Sequence, residues 1–180
     1  PYLVIAYTSM MLDSPNTYSH AVVIGGGLLG LEAANGLKQR GMDVTVVHLS
    51  DWLLERQLDR TAGKLLQTAL EARGIHFRLN EQTEELMDNG EGRVCAVQFK
   101  SGDVIPADLV VMAAGIRPNT ELAEKAGIPC NRGILVNDTM QTYDPRVYSI
   151  GECANHRGTA YGLMAQLFDA DFVTCETRLQ

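Results

Sequence analysis

The fourteen residues from Ala21 to Ala34 (AVVIGGGLLGLEAA) leave this chain few folds to choose from. Ala21–Ile24 is a short apolar run, the pattern of a strand buried on both faces in a parallel sheet. Gly25, Gly26 and Gly27 interrupt it, and apolar residues then recur at helical spacing from Leu28. A strand that breaks into G-x-G-x-x-G and re-emerges as a helix is the fingerprint of a dinucleotide-binding unit. Gly25 makes the tight turn out of the strand, and Gly27 leaves room for a pyrophosphate beside the backbone. Gly30 lets the helix lie close on the sheet, and Ala34 does the same one turn later. Gly26, Leu28 and Leu29 complete the loop, whose free N–H groups and helix dipole face the anion.

The flanks extend this unit into a domain. The helix is expected from Leu28 to Arg40, with Lys38 and Arg40 at its negative end and Gly41 as the left-handed cap. Asp43 to His48 is a second buried strand, and its last residue lies 23 positions after Gly25, close to where the fingerprint places an acid for the ribose hydroxyls. Here that residue is His48. A neutral imidazole bonds a hydroxyl, and a protonated one attracts the 2′-phosphate of NADPH; the competing reading is a histidine that merely caps the strand end. Asp43 begins the strand about 15 Å away, whereas Asp51 is within reach of the ribose. Together these features predict a preference for NADH, softer than a glutamate would give. A second helix over about Asp59 to Arg73 carries Leu58, Ala62, Leu65, Leu66, Ala69 and Leu70 at helical spacing, and Ile75 to Leu79 is a third strand. Residues 82–87, 93–99 and 104 onward form a hairpin meander, with Cys95, Val97 and Phe99 directed at one face of the parallel sheet. The strand Ala107 to Ala113 then rejoins that sheet and ends at Gly115. The fold class is therefore α/β: a Rossmann-like doubly wound parallel sheet with an antiparallel three-stranded meander. Beyond Arg117 the chain predicts a short helix (Glu121 to Ala126), strands at Ile134 to Val136 and Val147 to Ile150, and a turn at Asp144–Arg146 between those strands.

Composition excludes several classes. A net charge of −7 argues against nucleic acid, and the longest apolar run, near Leu109 to Ile116, is far short of a membrane span. The chain shows no signal-peptide pattern, so a cytoplasmic protein is expected, and a start at Pro1 reads as a cut. Cys95, Cys130, Cys153 and Cys175 are irregularly spaced, which suits reduced thiols better than a disulfide framework, a zinc site or an iron–sulfur cluster. No metal site is expected.

Four segments together resemble the two-dinucleotide flavoproteins, the pyridine nucleotide–disulfide oxidoreductase-like family: Ala21–Glu32, Val44–Val47, Ala113–Asn119 (AAGIRPN) and Tyr148–Glu152 (YSIGE). Within it, Gly41–Leu49 (GMDVTVVHL), Trp52–Asp59 (WLLERQLD) and Gly151–Gly158 (GECANHRG) with Tyr161–Leu163 are similar to the nitrite reductase branch. The resemblance implies an NAD(P)H domain inserted in an FAD domain, with hydride passing from NAD(P)H to FAD and no catalytic acid or base. It places the NAD(P)H pyrophosphate at Gly25, Gly27 and Gly30. It sets Glu32 near the nicotinamide, against the alternative of a helix-surface charge. Ala114 and Gly115 stand where the cofactor crosses the sheet edge. Gly151 and Glu152 stand where relatives contact the FAD ribityl chain, usually through Asp. The family's second G-x-G-x-x-G and the cysteine clusters of the iron–sulfur and sirohaem centres have no counterpart here. The expectation is an internal piece of a larger enzyme: a connecting segment over 1–18, an NAD(P)H domain over 19–116 and an incomplete FAD-domain segment over 117–180. FAD is not expected to stay bound to such a piece. The alternatives are a rubredoxin or ferredoxin reductase without nitrite chemistry, or a nucleotide-binding module without turnover. The expected partners are the rest of the parent enzyme and a second copy, meeting through apolar groups of the last segment, including Leu122, Ile134, Leu135, Val147, Tyr148, Leu163, Leu167 and Phe168.

Overall fold

A computed structural model describes residues 18–160; residues 1–17 of the expected connecting segment, the Tyr161–Leu163 motif, Leu167, Phe168 and Cys175 lie outside the described residues. The chain divides into two compact units, Pro1–Gly115 and Ile116–Gln180.

In the first unit, strand β1 (His20–Ile24) leads into helix α1 (Leu28–Gln39), and β2 (Asp43–Val47) into α2 (Arg60–Glu71) and β3 (Ile75–Arg78). Strands β4 (Thr83–Asp88), β5 (Val94–Phe99) and β6 (Val104–Pro106) follow, and β7 (Leu109–Met112) closes the unit. The parallel sheet has the order β3-β2-β1-β7. Ala21 pairs with Val44 on one side and Leu109 on the other. Gly41, at φ +92°, ends α1 in the left-handed conformation that a side chain would oppose. Asp59 caps α2, its carboxylate accepting from the Ala62 N–H at 2.9 Å.

Each face of the sheet has its own core. On one, Ala21, Val23, Val44 and Val46 pack with Leu31, Ala34 and Leu37 of α1 and with Leu70 of α2. On the other, Val22 and Val47 pack with Val97, Phe99 and Ala107 of the meander, which forms the separate sheet β4-β5-β6. The alternation of strand side chains thus sends neighbouring valines into different cores.

Three sequence expectations need correction here. Cys95 is exposed, because only Val97 and Phe99 of its row lie over the sheet. Leu65 (69 % exposed) and Ala69 point away from the core, because α2 buries the face of Gly63 and Leu70, with Leu66 packed alongside. A Cβ on Gly63 would meet Trp52 Cδ1 at 2.6 Å, so the indole selects that face. Strand β2 ends at Val47, one residue early, because His48 turns into the interior.

The second unit holds α3 (Glu121–Lys125) and a sheet of β8 (Ile134–Val136), β9 (Ala154–His156) and β10 (Thr159–Ala160) in the order β10-β9-β8. The expected strand Val147–Ile150 is absent from the described sheets and contributes a single bridge, Gln141 with Tyr148. The reason is local: Met140 sits at φ +60°, and the Asp144 turn draws the Val147 N–H to its own carbonyl at 2.9 Å. Strand β9 takes the parallel place beside β8, and neither it nor β10 was expected from the sequence.

Candidate functional site

The site forms at the carboxyl ends of β1, β2 and β7. The chain runs outward from β1 to β2 and β3, and returns on the opposite side of β1 as β7. Such a reversal opens a crevice, the usual ligand position in this class of sheet. Gly25 and the Ala113–Gly115 segment stand there. The Ala113 N–H donates to the Ile24 carbonyl at 2.8 Å, and the Gly25 N–H to the Val47 carbonyl at 2.8 Å. Gly25 has φ +122°, and a Cβ on it would fall on the Ala113 carbonyl oxygen. A Cβ on Gly30 would fall on the Gly25 carbonyl. Both positions are closed to side chains by protein backbone.

Gly27 differs. A Cβ there meets nothing within 4 Å, so the fold itself does not need its bareness. Gly27 is also the N-cap of α1, yet no side chain caps the helix and no acidic residue lies in its first turn. Helix α2, by contrast, has its aspartate cap. Uncapped N–H groups beside open space are what an anion needs. The chain also exposes apolar side chains around this end: Leu28, Leu29, Leu49 and Met112 are 47 to 68 % accessible. They offer walls for flat aromatic groups. The loop therefore fits a dinucleotide.

Gly26 is held at both of its backbone polar groups. Its N–H donates to His48 Nδ1 at 3.1 Å, and its carbonyl accepts from the Leu54 N–H at 3.1 Å. A Cβ on it would stand 2.8 Å from His48 Cγ and 2.9 Å from Leu53 Cδ2. His48 is 9 % exposed, and its Nε2 lies 2.9 Å from Glu55 Oε2. Since Nδ1 accepts, Nε2 carries the proton and donates to the carboxylate. Glu55 was not singled out from the sequence, although its segment was; its contact with His48 depends on a turn that spacing does not reveal. Asp51, another acid near this strand end, is ion-paired with Arg60.

The remaining candidates are placed as follows. Glu32 is exposed on the second turn of α1 and has no ion pair among the described residues. Ala114 and Gly115 are exposed just beyond β7. Gly151 (φ +83°) and the exposed Glu152 form a 3-10 turn in the second unit. Among the described residues no group of three or more His, Cys, Asp or Glu is arranged to hold a metal, and no helix is long and apolar enough to cross a membrane. Cys95, Cys130 and Cys153 are free thiols.

The sequence matches the profile described as pyridine nucleotide-disulphide oxidoreductase over residues 6–166. The chain belongs to that family. It is 59 % identical over 162 residues to the nitrite reductase [NAD(P)H] of Bacillus subtilis, covering 90 % of this chain and 20 % of the relative. It is 50 % identical over 159 residues to the assimilatory nitrate reductase electron transfer subunit of the same organism, covering 88 % of this chain and again 20 % of the relative. Thus the chain spans about a fifth of these relatives' length. A solved ferredoxin reductase of the CYP199A2 system from Rhodopseudomonas palustris superposes with a TM-score of 0.85 at 30 % identity, over 93 % of this chain and 42 % of that one. The parallel sheet with its antiparallel companion is accordingly the fold of this oxidoreductase family.

Proposed function

We propose that this chain forms the pyridine-nucleotide-binding part of an NAD(P)H-dependent flavin oxidoreductase, with nitrite reductase as the favoured parent enzyme. The observation that carries the reading is Gly27: open space and uncapped helix N–H groups at the turn of a dinucleotide fingerprint. The similarity to nitrite reductase supports the choice of parent. The likeness to a ferredoxin reductase supports a second reading, in which the electrons go to a small iron–sulfur protein instead.

In this reading the uncapped N–H groups of Gly27, Leu28, Leu29 and Gly30 at the start of α1 hold the pyrophosphate, while Gly25 and Gly26, whose N–H groups are taken by the Val47 carbonyl and His48 Nδ1, shape the turn around it. Leu28, Leu29 and Met112 line the crevice and exclude water. Ala114 and Gly115 leave the sheet edge clear for the cofactor to cross. Glu32 orients the nicotinamide end. Gly151 and Glu152 are proposed to meet the FAD ribityl chain in the intact enzyme. When bound, the nicotinamide supplies a hydride to the flavin; the protein's part is positioning, so no catalytic acid or base is assigned. Iron–sulfur and sirohaem groups are proposed to reside on other parts of the enzyme. NADH is the proposed preferred nucleotide, and the cytoplasm the proposed compartment.

The test separates binding from folding. Gly27 has φ −81°, which alanine adopts freely, and its Cβ direction is open. Gly27→Ala should melt no more than about 4 °C below the parent, the cost of a poorer N-cap, while weakening NADH by tenfold or more, as a methyl group enters the pyrophosphate space. Calorimetric titration showing NADH bound equally well by both would reject the site.

A further inference from the structure

Because His48 has both ring nitrogens occupied, the end of β2 offers no free group to the ribose. A carboxylate nevertheless arrives there from the turn that follows. Leu53 is fully buried against Gly26, the Leu54 N–H bonds the Gly26 carbonyl, and Glu55 comes next, its carboxylate on His48 Nε2. The turn itself is fixed. Leu54 is left-handed at φ +55°, the Gln57 and Leu58 N–H groups both donate to the Leu54 carbonyl at 2.8 Å, and Trp52 Nε1 donates to the Leu58 carbonyl at 3.1 Å. One Glu55 oxygen takes the imidazole proton; the side chain is still 33 % exposed, so the other is free for a ligand. Two other acids stand near the strand end, and both are ion-paired: Asp51 with Arg60, and Glu81, whose N–H donates to the His48 carbonyl, with Arg78.

We propose that Glu55 is the residue that selects NADH over NADPH. Resting on the reading of the loop as an NAD(P)H site, the proposal has His48 act as a spacer between loop and carboxylate. Its Nδ1 fixes Gly26 and its Nε2–H fixes Glu55, which accepts from the adenosine ribose hydroxyls and repels a 2′-phosphate. The acid normally carried at the strand end has in effect moved seven residues along the chain, from position 48 to position 55. Glu55 is thus a specificity-determining residue, and His48 a positioning residue.

The experiment measures dissociation constants of NADH and NADPH by calorimetry on the 180-residue chain and on Glu55→Gln, Glu55→Arg and Asp51→Asn. Glutamine keeps an acceptor for the His48 Nε2–H and removes only the charge. Glu55→Gln should tighten NADPH about tenfold, the scale of two charges a few ångströms apart and screened by water, and leave NADH within threefold. Glu55→Arg should invert the preference, and Asp51→Asn should leave the ratio unchanged. On the parent, raising salt should narrow the gap between the two nucleotides, since screening weakens the repulsion; this holds whether or not a variant folds. A ratio that ignores both salt and Glu55, equal weakening of both nucleotides in Glu55→Gln, or a shift of the ratio in Asp51→Asn instead would each overturn the proposal. A parent that binds neither nucleotide would reject the site itself, which is a different failure.

Discussion

Gly26 and Gly27 are chemically identical neighbours that do opposite work. An added methyl at position 26 would run into His48 Cγ at 2.8 Å and Leu53 Cδ2 at 2.9 Å, both on buried side chains with little room to move. Gly26→Ala should therefore cost about 1–3 kcal/mol of stability, the usual penalty for overpacking, which urea denaturation followed by circular dichroism will measure. Asp108 gives a second test at this scale. Its Oδ2 accepts the His20 N–H at 2.9 Å and the Ser19 N–H at 3.0 Å where the chain enters β1. The His20 N–H, followed by the smaller pull of Ser19, holds the carboxyl below its ordinary 3.8 despite some desolvation. A depressed acid contributes stability above its unfolded pKa and loses it as pH falls through the folded value. The side chain is 43 % exposed, so the contribution is at most about 1 kcal/mol. Asp108→Asn should melt below the parent at pH 7, and the gap should close as pH falls below about 4.

Among the elements, the meander is the least conventional part of the first unit, and its two largest fully buried side chains anchor it to the parallel sheet. Val97 and Phe99 are both fully buried against Val22 and Val47, and the Arg78 guanidinium lies 5.3 Å from the Phe99 ring centre. Phe99→Ala should cost about 3–5 kcal/mol by opening a cavity between the two sheets, seen as a lower denaturation midpoint with an unchanged slope. Helix α2 supplies the contrast. Leu65→Gln should change stability by less than about 0.5 kcal/mol, because its side chain is 69 % exposed. Periodicity announced this helix correctly but not its buried face. Leu58, Ala62, Leu65, Leu66, Ala69 and Leu70 span a wide apolar arc, and it is Trp52, seated on Gly63, that chooses within it. The end of the second unit was harder still. Strands of two or three residues, such as β9 and β10, carry too few positions for a period to show.

At the scale of the whole molecule, the 180 residues hold one dinucleotide fingerprint where hydride transfer to flavin needs two cofactors. The chain should therefore bind NADH and release FAD on dialysis; a preparation retaining stoichiometric flavin would contradict this. The second unit exposes Leu122 (85 %), Leu135 (39 %) and Val147 (37 %), while Ile134 and Tyr148 are half-buried. Apolar groups so displayed favour contact with another surface. Sedimentation velocity at high concentration should show self-association of the 180-residue chain, and a strictly monomeric boundary would count against it.

The sequence alone determined the parallel core, because a buried strand, a glycine turn and an amphipathic helix each carry a local period or a local steric demand. From Ala21 to Leu79 the order of elements could be read with boundaries off by one or two residues. Ile134–Val136 was legible only as three consecutive apolar residues, too short for a period. Tertiary structure decided what no period records. It set the face that α2 buries, kept Cys95 out of the core, and replaced the expected strand at Val147–Ile150 with β9. It also turned His48 inward to hold Gly26, with Glu55 brought onto the other ring nitrogen by a left-handed Leu54. Those outcomes depend on which surfaces meet after the chain has folded back, and residues seven or 22 positions apart meet only when the intervening turns have formed.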